Sequence, residues 1–133
     1  MFTDREIELV RTTWSEASKD PAAAAGLFYG RLFEVAPDVK PLFTADIKEQ
    51  GIKLMQMIGI AVNNMEKIDA IVPALVQLAE RHDDYGALPE HYPVVGQVLL
   101  ETLGKALGES FSAEAEEAWA KTYGALATAM LER

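Results

Sequence analysis

The chain has 133 residues, half of them hydrophobic and a quarter charged, with 12 Lys and Arg against 21 Asp and Glu for a net charge of -9. One domain, 1–133, with a sizeable core is expected, and the acidity argues against nucleic acid or an anionic membrane as partner, since both demand clustered cations. The absence of cysteine excludes disulfides, thiolate metal sites and thiol catalysis, and leaves His82 and His91 as the only imidazoles, too few for an ordinary zinc site.

Thr3 with Glu6 fits a reciprocal helix cap, and Ile7, Leu9, Val10, Thr13, Trp14 and Ala17 continue one apolar helical face, with Trp14 read as core. Asp20-Pro21 stops that helix and starts PAAAAGLFYGRLFEVA, where Leu27, Phe28, Leu32 and Phe33 make a broad apolar face. Tyr29 lies on its edge, on residue evidence alone an interface tyrosine with a wet hydroxyl. Pro37 and Pro41 bracket a short helical turn that ends in Leu42-Phe43. A third helix is predicted from about Ile47 to Met65. Gly51 and Gly59 inside it cost about 1 kcal/mol each against alanine, which points to close approach by a neighbour. Gln50, Leu54 and Ile58 share one face, with Gln50 its polar member.

Asn63, Asn64, Lys67 and Asp69 read as a polar connection to a helix starting near residue 69, with Pro73 in its first turn. Leu75, Leu78 and Ala79 lead at helical spacing to His82, so an imidazole ends an apolar stripe. Two readings are open: a core histidine bonded to a carbonyl, or an iron ligand. Asp83, Asp84, Gly86 and Pro89 then break the chain before a helix starting near Pro89 or Pro93, which carries Val95, Val98, Leu99, Thr102, Leu103 and Leu107 up to a stop at Gly108. His91 reads as a surface or capping residue. Ser112 caps the last helix, whose stripe is Trp119, Tyr123, Leu126 and Met130. Nothing reads as a strand, repeat or linker. No apolar run reaches about 18 residues, and MFTDREIE lacks the pattern of a signal peptide, so a cytoplasmic protein with no membrane span is expected.

Several segments taken together are similar to the single-domain bacterial globins, the haem domains of flavohaemoglobins and the small high-affinity globins of thermophilic and acidophilic bacteria. They are LFYGRLF at 27–33, PDVKPLF at 37–43, EQGIKLM at 49–55, ERHDDYGALPEHYPVVGQVLL at 80–100 and AWAKTYGALA at 118–127. Their spacing is the specific part: 8 residues from Tyr29 to Pro37, 6 from Pro37 to Phe43, 32 from Gln50 to His82 and 10 from His82 to Tyr92.

The resemblance implies an all-α globin fold of six to eight helices around a haem b pocket, with a short or absent D helix because the stretch between Phe43 and Gln50 is brief. It implies His82 as the iron ligand, Tyr92 as the tyrosine near it, and Tyr29, Gln50 and Leu54 as the side facing a bound gas. Phe43 would stack on the haem, delivered by the turn at Pro37. Phe33, Leu42, Leu78, Val95, Leu99 and Leu126 would line the pocket, with Lys53 and Arg81 as candidates for the propionates. Gly51 would let its helix cross the preceding one closely near Ala25. Two donors, Tyr29 and Gln50, at about 1 kcal/mol or more each would slow oxygen release by roughly one to three powers of ten; carbon monoxide, carrying less negative charge, gains less.

Two departures from the flavohaemoglobin pattern stand out. The glutamate that supports the proximal histidine there would fall just after Arg133, Glu132 being unsuitably placed round the helix, and with no flavin or nicotinamide motif among these residues a chain without its own reductase is expected. Reversible, high-affinity oxygen binding for storage, delivery or sensing is thus the first functional expectation. Nitric oxide dioxygenase activity, converting nitric oxide to nitrate with a separate reductase as electron donor, is the second. A haem-free interaction module is the third, which His82 counts against. Oxygen, nitric oxide and carbon monoxide are the expected small ligands, and the expected state is a monomer or weak homodimer.

Overall fold

In the computed structural model, residues 2–43, 47–84 and 86–132 are described. Six α-helices account for most of them: α1 (Asp4–Ala17), α2 (Pro21–Val35), α3 (Ile47–Asn63), α4 (Val72–Asp84), α5 (His91–Leu107) and α6 (Ala113–Leu131). There is no strand among the described residues, and none of their helices is long and apolar enough to cross a membrane.

Three helix starts, those of α1, α2 and α6, follow their caps. Thr3 Oγ1 accepts the Glu6 amide at 3.0 Å while Glu6 Oε1 accepts the Thr3 amide at 2.8 Å, satisfying two otherwise orphaned donors. Asp20 accepts the Ala23 amide at 3.1 Å with Pro21 in the first turn of α2, and Ser112 accepts the Ala115 amide at 3.1 Å in α6. The Arg11 guanidinium closes the far end of α3, donating to the Val62 and Asn63 carbonyls while pairing with Glu66.

Boundaries moved where a 3-10 turn intervened. The third helix stops at Asn63 rather than near Met65, and α4 begins at Val72 rather than near residue 69. Between them, Met65–Ile71 forms a 3-10 segment with Met65, Ile68 and Ile71 buried. The polar residues of this connection disguised an apolar row spaced by three, which suits the three-residue turn of a 3-10 helix. The fifth helix begins at His91, between the two prolines expected to start it. The expected lack of a separate helix between Phe43 and Gln50 falls in part on residues 44–46, which lie outside the described ones; α3 runs from Ile47.

Helix α2 packs on both α3 and α5, α1 packs on α6, and α6 also covers α4 and α5. The α2–α3 crossing is close: a Cβ on Gly51 would lie 2.9 Å from the Cβ of Ala25. Glycine is tolerated in α3 because the two helices meet there. The buried apolar residues form two clusters, one including Val10, Phe28, Tyr29, Leu32, Leu99 and Trp119, the other Leu75, Ala79, Tyr92 and Met130. Trp14 is only half-buried; its ring tilts against the fully buried Trp119 at 5.9 Å, so the second tryptophan is the deeper core residue.

Candidate functional site

Helix α2 and the 3-10 turn Pro37–Leu42 assemble an aromatic group on one side of the site. Tyr29 is 6% exposed. Its ring stacks on Phe33 at 6.0 Å and meets Phe43 edge-on at 5.4 Å, while Phe33 and Phe43 meet edge-on at 5.5 Å. The wet interface tyrosine allowed by the sequence is therefore a buried one. Burial pushes its hydroxyl up to about 12, so at neutral pH it is a hydrogen-bond donor. Among the described residues it has no hydrogen-bond partner. Gln50, half-buried in the first turn of α3, precedes Gly51, whose added Cβ would sit 3.9 Å from the Tyr29 ring. Leu54 and Leu99 line one small apolar gap together with Phe28 and Ile58.

Leu42 and Val95 are partly buried against the same cluster. A Cβ on Gly86 would come within 3.3 Å of Leu42, so the loop that follows His82 touches the turn that precedes Phe43. His91 reinforces that contact: its Nδ1 accepts the Leu88 amide at 3.0 Å and its Nε2 lies 3.6 Å from Asp38. The capping residue expected from sequence thus ties the loop and the start of α5 to the 3-10 turn.

His82 occupies the last turn of α4. Its Nδ1 is 2.8 Å from the carbonyl oxygen of Leu78. A carbonyl can only accept, so Nδ1 carries the proton and Nε2 carries the lone pair. Burial lowers its proton affinity; the hydrogen bond to Leu78 works the other way, and the charge of Arg81 adds to the fall. A neutral imidazole with a lone pair on Nε2 and its other nitrogen held by a carbonyl is the form in which histidine binds iron. The carbonyl contact was the bland alternative in the sequence; it is equally the support a ligand requires.

Tyr92 lies beside it, with ring centroids 6.4 Å apart. The Tyr92 hydroxyl is buried and has no hydrogen-bond partner among the described residues, and burial raises its pKa. Leu78 and Leu126 pack on the cluster that contains Tyr92. The candidate lining residues are therefore drawn from both core clusters. Lys53 and Arg81 are exposed. The donor set, one neutral imidazole among aromatic and aliphatic side chains, suits a flat apolar iron porphyrin with charged groups directed to water.

Sequence reasoning placed Tyr123 in an apolar stripe and missed its polar end. Its hydroxyl donates to the carbonyl oxygen of Tyr92 at 2.7 Å. A glycine at position 96, mid-helix and without a local reason, was the available signal.

A family model described as globin matches residues 26–130. The chain is 29% identical to a flavohemoprotein of Bacillus subtilis over 98% of its length, and 30% identical to one of Chromobacterium violaceum over 98%. It spans about a third of the length of these curated relatives, 34% and 33% respectively. Among solved structures, a bacterial globin from Campylobacter jejuni superposes with a TM-score of 0.86 at 25% identity, covering 98% of this chain and 94% of that one. An engineered carbene transferase, a putative nitric oxide dioxygenase from Rhodothermus marinus, shares the fold with a TM-score of 0.85 at 24% identity, covering 96% of this chain and 89% of that one.

Proposed function

The chain belongs to the globin family, and from that premise we propose that it holds haem b through His82 and binds oxygen reversibly, with Tyr29 and Gln50 as donors to the gas. The observation that carries this reading is the His82 side chain, whose Nδ1 is committed to Leu78 at 2.8 Å and whose lone pair is therefore on Nε2. Bound there, haem would supply an iron centre able to take a diatomic gas. Everything else is the work of the chain. Tyr29, buried and protonated, offers an O–H to the partial negative charge that oxygen develops. Gln50, one residue from the Tyr29 contact, adds an amide N–H. Phe33, Leu42, Phe43, Leu54, Val95 and Leu99 keep water away from that side, and Leu78 and Leu126 do so around the histidine. Lys53 and Arg81, at the surface, would be the cations available to the propionates.

A second reading is nitric oxide dioxygenase activity fed by a separate reductase. It is favoured by the name flavohemoprotein borne by the relatives and by the Rhodothermus marinus neighbour. The same residues serve it, and the difference is the supply of electrons.

Absorption spectra of the purified protein, ferric, reduced with dithionite and then exposed to air, test both. A Soret band that passes to a stable oxygenated spectrum, and is lost in His82→Leu, supports oxygen binding. Rapid return to the ferric form on adding nitric oxide moves the weight to the dioxygenase. A protein that stays colourless with added haemin overturns both.

A further inference from the structure

His91 and Leu88 are joined in both directions. The His91 amide donates to the Leu88 carbonyl at 2.9 Å, and the Leu88 amide donates to His91 Nδ1 at 3.0 Å. The second bond places a proton. An amide N–H can only donate, so Nδ1 holds a lone pair and the neutral ring carries its hydrogen on Nε2, the atom 3.6 Å from Asp38 Oδ2. This is the reverse of His82, whose Nδ1 faces a carbonyl. Protonation sets the two contacts of His91 against each other. A hydrogen on Nδ1 meets the Leu88 N–H, donor against donor, while the charged ring is drawn to the Asp38 carboxylate. The His91 side chain is 16% exposed, so solvent protons reach it. Among the described residues Asp38 is the carboxylate in ion-pair range of the ring. Glu90, beside it in the chain, and Asp83 and Asp84, at the other end of the loop, are exposed acids, and Lys40 of the 3-10 turn sits 5.9 Å over the Phe33 ring.

The loop that this bond closes touches both sides of the candidate site. The Ala87 amide, next to Leu88, donates to the His82 carbonyl at 2.9 Å. Gly86, at φ 92°, lies against Leu42 in the turn that leads to Phe43. Resting on the haem-binding reading above, we propose that His91 is a positioning residue for loop 86–90, latching it while the imidazole is neutral and releasing it on protonation, so that acid loosens the hold on haem by a route separate from His82. The direction follows from linkage. The latched loop keeps a proton off Nδ1, so latching is favoured at higher pH and is lost as the pH falls.

Site-resolved amide exchange by NMR on the haem-loaded, carbon monoxide-bound protein tests the latch, once corrected for the intrinsic pH dependence of exchange. Between about pH 8 and about pH 5.5, across the ordinary histidine range, protection of the Leu88 amide is expected to fall roughly two- to tenfold, the worth of one neutral hydrogen bond. Nitrogen shifts of the His91 ring should place its hydrogen on Nε2 at the upper end of that range; a hydrogen on Nδ1 there overturns the latch. His91→Gln is the discriminating variant. Its side-chain carbonyl can reach back three residues, as Glu6 does to Thr3, and it does not titrate. Leu88 protection in His91→Gln should therefore stay level in acid, and haemin loss to an excess of scavenger should rise less steeply with acid than in wild type. Leu88 protection that stays level in wild type, or falls equally in both proteins, overturns the latch. Parallel haemin-loss profiles overturn its bearing on haem. A wild-type protein that takes up no haemin overturns the haem reading, and Leu88 exchange in the protein as purified then decides the latch by itself.

Discussion

The indole N–H of Trp119 donates to the hydroxyl of Thr13 at 2.8 Å, joining α6 to α1 in the interior. Thr13 in turn donates to the Leu9 carbonyl at 2.7 Å, so the hydroxyl is both acceptor and donor and no polar atom of the pair is wasted.

Thr13→Val keeps the volume and strands the indole N–H in a side chain only 2% exposed. An unsatisfied buried donor costs about 1–3 kcal/mol. The urea midpoint should fall accordingly with an unchanged slope, and the haem spectrum should not move. An unaltered midpoint would show that the indole finds another acceptor.

At the α2–α3 crossing, Gly51→Ala forces a methyl to within 2.9 Å of the Ala25 Cβ. Neither group can yield without moving a helix, so a loss of about 1–3 kcal/mol is expected. Ala25→Gly should restore most of it in the double variant. Additive losses in the four-variant cycle would deny the contact.

Tyr29→Phe removes one donor from the proposed gas pocket and keeps the ring stacked on Phe33. Oxygen dissociation measured by stopped flow should accelerate roughly five- to a hundredfold, the kinetic equivalent of about 1–3 kcal/mol for a charge-assisted hydrogen bond. Carbon monoxide dissociation should change much less. Equal effects on both gases would point to altered access rather than to a lost donor.

Arg31 Nε donates to Glu101 at 2.8 Å across the α2–α5 contact. That hydrogen bond, more than the accompanying charge attraction, holds the Glu101 carboxyl below its ordinary value of 4.5. A group whose pKa is lower folded than unfolded stabilises the fold above its unfolded value, and loses that contribution as the pH falls through the folded one. Glu101→Gln should therefore be less stable than wild type near pH 6, with the gap closing as the pH falls below the ordinary glutamate range. A gap that stays constant across that range would mean the ion pair contributes nothing specific, as exposed pairs often do not.

Local chemistry written along the chain determined where three of the six α-helices begin: Thr3 with Glu6, Asp20 with Pro21 and Ser112 are caps whose hydrogen bonds form within four residues, so no distant partner is needed to foresee them. The apolar periodicity ending at His82 likewise marked an imidazole on an inward face, and Gly51 announced a close helix crossing because propensity alone disfavours it. The 3-10 segment at Met65–Ile71 escaped because its apolar period of three resembles neither helix nor strand when polar residues fill the gaps. What only the tertiary structure decided lies between elements far apart in sequence. The burial of Tyr29 under Phe33 and Phe43, the tie of His91 to Asp38, the choice of Trp119 over Trp14 as the deep core ring and the clamp of Tyr123 on Tyr92 and Gly96 all depend on how helices cross. A side chain's period tells which face it shares, and only the packing of that face against another helix tells what it touches.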